Sequence, residues 1–162
     1  PLANMIELYS YEKGKIKTAS IVSFGLKPLI KFDQSKSDSF YSIWDNEDKI
    51  DLLEKNCQNY TLLDDYIKFC VKGINEILSA FKSCIKNQEW KPYCAKTSSG
   101  VLTVTFINGV LNLVRLLIEN NKIDGIDNYR KKLESIDEFN IKQYKSSQYR
   151  RMGEDIYNKY FK

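Results

Sequence analysis

Between Val101 and Ile118 the chain reads VLTVTFINGVLNLVRLLI, with Arg115 its single charge. From Thr105 onward its polar and small positions are Thr105, Asn108, Gly109, Asn112, Arg115 and, just after it, Glu119. They recur every three or four residues, which on a helix confines them to an arc of about 120°. The pattern predicts a helix buried over most of its circumference, with one narrow polar seam. Two readings of the seam stay open. In the first, Asn108, Asn112 and Arg115 line a groove and present amide and guanidinium groups to a ligand. In the second, the seam is the wet side of a central helix, or it hydrogen-bonds to neighbouring loops. Gly109 costs about 1 kcal/mol in a helix and marks close approach of another backbone. Ser98 or Ser99 is the expected cap, and Asn120-Asn121 closes the element.

A second long periodic stretch begins at Thr61, with Asp64 in the capping-box position. Leu63, Tyr66/Ile67, Cys70, Ile74, Ile77/Leu78, Phe81 and Cys84/Ile85 keep helical spacing to about Asn87. Trp90-Lys91-Pro92 ends it. The two long helices, apolar over several turns each, are expected to pack together. Shorter elements flank them. Asn46 caps a helix over Glu47–Asn56 that buries Ile50, Leu53 and Leu52. Asp124-Gly125 is a turn, and Asp127 caps Tyr129–Ile136. Ser146 or Ser147 precedes a helix over Gln148–Phe161 with Tyr149, Met152, Ile156 and Tyr160 on one face. Near the start, Met5–Tyr11 and Lys15–Val22 flank Glu12-Lys13-Gly14 as a hairpin would. Alternatively Thr18–Phe24 is a short helix ended by Gly25, with Pro28 opening a further turn over Leu29 and Ile30; the reading leans to the helix. Gln34–Ser39 is a polar loop. The fold expected is mainly α: an irregular helical bundle with two long helices around a single core, with a minor β-hairpin possible at the N-terminus. Residues 1–162 form one helical domain, expected to be the C-terminal part of a longer protein.

The composition fits this picture. The 162 residues are 43% hydrophobic and 28% charged, enough for one sizeable core. A net charge of +4 permits acidic partners without demanding one. The sequence holds no histidine, which removes Ser-His-Asp and Cys-His machinery and histidine metal sites within it. Cys57, Cys70, Cys84 and Cys94 form no CxxC pair, so reduced thiols in a cytoplasmic protein are expected. Two Asn and one Arg inside the apolar run argue against a membrane span.

Candidate chemistry is sparse. The run Lys142-Gln143-Tyr144-Lys145-Ser146-Ser147-Gln148-Tyr149-Arg150-Arg151 interleaves basic residues with hydroxyls and amides at a loop-to-helix boundary. There Lys142, Lys145, Ser146, Ser147, Arg150 and Arg151 suit a phosphate or nucleic-acid backbone; the bland reading is a capped amphipathic helix with a solvated basic face. From Arg115 onward eleven Lys/Arg stand against eight Asp/Glu, a small surplus. Arginines in the first turn of a helix oppose its dipole, which favours an anionic partner. Glu89-Trp90-Lys91 has the acid and lysine of a metal-dependent nuclease, but the strand and upstream Asp are missing, and Trp90 reads as a packing residue or an exposed anchor. Acidic clusters at Asp45/Glu47/Asp48 and Asp64/Asp65 are explained by capping. No catalytic residue, metal or cofactor is expected.

Lys17–Ile30 (KTASIVSFGLKPLI), Ser98–Ile118 and Tyr144–Ile156 (YKSSQYRRMGEDI) together resemble the C-terminal helical region of DGQHR-domain, DndB-like bacterial proteins. That family is connected with DNA sulfur modification and defence islands. Its naming motif, Asp-Gly-Gln-His-Arg, is absent here, so no family site residue transfers. The resemblance implies an accessory domain of a DNA-modification or defence-associated protein. Its expected partners are DNA or its own N-terminal domain. The alternatives are an oligomerisation or interaction module anchored by Trp90 and the tyrosines, with a homo-oligomer as partner, and a small nuclease using Glu89 and Lys91.

Overall fold

The computed structural model describes residues 1–7 and 14–162 and is helical throughout its core. Helix α1 (Thr18–Ile21) runs through a π-helical turn at Val22–Leu26 into α2 (Lys27–Ile30). Next come α3 (Phe40–Ile43), a 3₁₀ segment at Glu47–Leu53, and the long α4 (Tyr60–Cys84). Helix α5 (Val104–Glu119) is the seam helix. Helix α6 (Ile126–Lys132), three single 3₁₀ turns and α7 (Tyr149–Tyr160) complete the chain.

Helix α5 is the axis of the molecule. Phe106, Ile107, Val110, Leu111, Leu113, Val114, Leu117 and Ile118 are each at most 2% exposed. Burying a side chain of this size stabilises by about 1.5–3 kcal/mol. Its N-cap is Thr103, whose hydroxyl accepts the Phe106 amide at 3.0 Å, rather than Ser98 or Ser99. Those serines lie in the loop beforehand, where Cys94 and Ser99 form an isolated bridge. Asn121, with φ +53°, ends the helix in a left-handed C′ position. Its amide bonds the Ile118 carbonyl, and that of Lys122 bonds the Leu117 carbonyl, so the closing motif is a Schellman cap with Asn in place of Gly.

The expected α4–α5 packing is present, with Phe81 and Phe106 edge to face at 5.6 Å. The more extensive partner of α5 is α7. There Gly109 and Gly153 face each other: a Cβ on Gly153 would stand 2.8 Å from the Gly109 carbonyl oxygen. Two residues without side chains let the backbones approach at the crossing.

Several boundaries differ from expectation for local reasons. Helix α4 starts at Tyr60 because Asn59, not Thr61, accepts the Leu62 amide. Asn46 does cap, but Glu47–Leu53 is 3₁₀. With three residues per turn Ile50 and Leu53 share a face, and that face is exposed while Leu52 is buried. Lys49, one turn before Leu52, bonds the Trp44 carbonyl at 2.9 Å. Helix α6 begins at Ile126 with Gly125 as N-cap; Asp127 lies inside its first turn. Ser146 and Ser147 form their own 3₁₀ turn instead of capping α7. Gly25 does not end the first helix. It sits within the π-helical turn, closed by the Lys27 amide on the Val22 carbonyl, and its bare Cα faces Leu111 and Asn108. The five-residue hydrogen-bond span accommodates Pro28 just beyond. Of the hairpin, residues 8–13 lie outside the described part. Ile6 and Ile16 form an isolated parallel bridge, which is not hairpin pairing. Among the described residues no helix is long and apolar enough to cross a membrane.

Candidate nucleic-acid interface

The polar seam of α5 is buried from Thr105 to Asn112, half-buried at Arg115 and exposed at Glu119. Asn108 is 2% exposed and Asn112 9%. The Asn108 amide donates to the Ser20 carbonyl on α1 and that of Asn112 to the Arg150 carbonyl on α7, each at 3.3 Å. Arg115 forms an ion pair with Asp38 from the loop before α3. The seam ties α1, α7 and the loop before α3 to the central helix through two backbone carbonyls and a carboxylate. The Asn112 amide and one Arg115 nitrogen are engaged by these partners, while the buried Arg115 Nε and Asp38 Oδ1 have no hydrogen-bond partner. Asn108 lines a cleft, and its carbonyl oxygen, packed towards Gly25, is likewise without a hydrogen-bond partner.

Ser146, Ser147, Tyr149 and Arg150 come together beside Asn108. With Ser20, Phe24 and Val104 they line a cleft of about 480 Å³ at the mouth between the π-helical turn and the start of α7. The volume falls within the range of small-ligand sites, about 300–1,000 Å³. Both hydroxyls and Arg150 are exposed. The Arg150 guanidinium lies 5.7 Å from the Tyr149 ring centroid and has no carboxylate partner among the described residues. Phe24 is 56% exposed, its ring centroid 6.3 Å from that of Tyr149 and inclined by 39°. The expected basic cluster is only partly assembled here. Lys145 is exposed at its edge in sequence, with its amide held by Gln148. Arg151 turns along α7 to Asp155 at 3.7 Å.

Lys142 is elsewhere. Its ammonium donates to Glu89 at 3.0 Å and to the Ser98 carbonyl at 2.8 Å. Glu89 also accepts the Gly100 amide at 3.1 Å. The Lys142 hydrogen bond, helped by Gly100, holds the Glu89 carboxyl below the usual carboxylate range. This cluster pins the loop between Trp90 and Leu102. Trp90 is 4% exposed, packs edge-on against Phe106 at 6.0 Å and donates its indole N–H to the Pro1 carbonyl at 3.0 Å. It is a core residue and not an exposed anchor. Among the described residues no group of His, Cys, Asp and Glu is arranged to hold a metal ion.

The four cysteines are free thiols. Cys70 is buried, which pushes its thiol up to about 11. Cys94 is exposed, and hydrogen bonds, first from the Thr97 side chain and then from the Thr97 and Lys96 amides, pull its thiol below the ordinary value.

Phe24 and Tyr149 escape sequence reasoning as cleft residues. The available signal was that Phe24 falls off the Ile21–Gly25–Leu29 face, which is visible only once the π-helical turn is known. No family model, curated protein or solved structure matches this chain.

Proposed function

We propose that this chain is a helical binding domain that grips nucleic-acid backbone through the cleft at the start of α7, as an accessory part of a DNA-linked protein. The observation that carries the reading is the convergence of two exposed hydroxyls, Ser146 and Ser147, with the carboxylate-free guanidinium of Arg150 at one concave site. Hydroxyls and guanidinium groups are the donors that take phosphate oxygens. The resemblance to DGQHR-domain proteins agrees with a DNA-linked role.

The reading has a quantitative consequence. Arg150 and Lys145 are the cations at hand, so about two phosphates are neutralised and the salt slope is shallow, about −1.4 on single strands. A salt titration of binding to a labelled oligonucleotide tests this. Affinity that falls with salt and weakens in Arg150→Ala supports the reading, whereas no measurable affinity at low salt removes it. Arg151→Ala is expected to matter less, because Arg151 faces Asp155.

Self-association is the second reading. It is favoured by Ile67 and Val71, one turn apart on α4 and 49% and 50% exposed. Light scattering across a concentration series decides it: a monomer at every concentration excludes it. Trp90, being buried, takes no part in such an interface.

A further inference from the structure

We infer that the cleft takes an unpaired nucleotide, with its base stacked on Phe24 and its phosphate on Ser146, Ser147 and Arg150; single-stranded nucleic acid is thus the substrate class. The inference rests on the backbone-binding reading above and goes further than it. Three observations carry it. First, the electrostatic footprint is small. Backbone binding draws its strength from the number of phosphates neutralised, and here Lys142 and Arg151 are paired with Glu89 and Asp155. The remaining binding energy must come from another source.

Second, that source is present. Phe24 is a large aromatic ring more than half exposed, at the wall of a cleft whose other walls carry phosphate donors. Stacking a base on an aromatic ring contributes about 1–3 kcal/mol and tolerates any base. A paired base has both faces covered by its neighbours and offers no face to Phe24. Beside the inclined Tyr149 ring, more than half of Phe24 stays open to solvent.

Third, the backbone holds Phe24 in this place. It lies in the π-helical turn at Val22–Leu26, an element that recurs at functional sites. Ile21, Gly25 and Leu29 anchor the same turn in the core. The ring is presented outward from a fixed support, so little ordering is needed on binding.

The test compares three labelled ligands by fluorescence anisotropy: a single-stranded oligothymidylate, the same length carrying abasic sites, and a blunt-ended two-strand duplex of equal phosphate count. Wild type, Phe24→Ala and Arg150→Ala are measured, with circular dichroism confirming that each variant is folded. The expected order is oligothymidylate tightest. Phe24→Ala weakens it about 5- to 150-fold, the stacking range converted at tenfold per 1.4 kcal/mol, and leaves the abasic strand unchanged. If all three ligands bind alike and Phe24→Ala changes none of them, the single-strand inference is overturned while backbone binding stands. If none binds at low salt, the backbone reading itself falls, and the inference with it.

Discussion

Gly153→Ala probes the helix crossing that holds the cleft together. In a free helix this change would stabilise by about 1 kcal/mol. Here the new methyl would lie 2.8 Å from the Gly109 carbonyl oxygen, 2.9 Å from the Asn112 Nδ2 and 3.2 Å from the Asn112 Cβ. The Gly109 carbonyl is backbone and cannot swing aside, and the Asn112 amide is held by the Arg150 carbonyl, so α5 and α7 must separate. Overpacking of that kind costs about 1–3 kcal/mol. Separation also breaks the Asn112–Arg150 hydrogen bond, and a buried amide left unpaired costs about 1–3 kcal/mol more. At mid-range these sum to a net loss of about 3 kcal/mol, or about 6–12 °C in Tm for a domain of this size. Urea unfolding with an unchanged m-value measures it. Glu154→Ala, the neighbouring exposed position, is the control and should fall within about 0.5 kcal/mol of wild type. A Gly153→Ala variant as stable as wild type would refute the close-crossing argument.

Arg115→Ala leaves the Asp38 carboxylate, 17% exposed, without its cation. The expected loss is about 1–3 kcal/mol by denaturant titration, and a change under about 0.5 kcal/mol would contradict it. Glu89 is held ionised by Lys142, so its contribution is present above the ordinary carboxylate pKa and lost as pH falls through its lowered folded value. Lys142→Ala should therefore flatten the stability profile between about pH 5 and pH 3, and an unaltered slope would exclude the linkage. In thiol titration with a disulfide reagent near neutral pH, Cys94 should react fastest and Cys70 only on unfolding. Rapid reaction of Cys70 in the native protein would contradict its burial.

Helix α5 was legible in the sequence because its polar residues are so few and so regularly spaced. What surrounds its seam was not. Polarity at Asn108, Asn112 and Arg115 reports a need for hydrogen bonds, and water, backbone carbonyls and Asp38 all satisfy that need. The sequence does not say which. The caps were ambiguous for a related reason. Asn59 and Thr61 are both capping residues, as are Ser98, Ser99 and Thr103, and the choice follows from where the backbone turns. Over Glu47–Leu53 a run of seven residues is too short for spacing to separate three from 3.6 residues per turn. The basic run is contiguous in sequence, yet Glu89, fifty-three residues before Lys142, draws that lysine away from the rest. Long-range pairing of this kind leaves no trace in local pattern. For the cleft itself, Ser146, Ser147 and Arg150 were visible as donors, while Phe24 depended on a π-helical turn that composition does not reveal.

The most direct measurement is a ¹H–¹⁵N chemical-shift titration of the folded chain with a short single-stranded oligothymidylate. The account predicts that shifts concentrate at Phe24, Asn108 and Ser146–Arg150, the lining of one cleft. Shifts centred instead on the exposed Ile67 and Val71 face of α4, or none at saturating oligonucleotide, would contradict it.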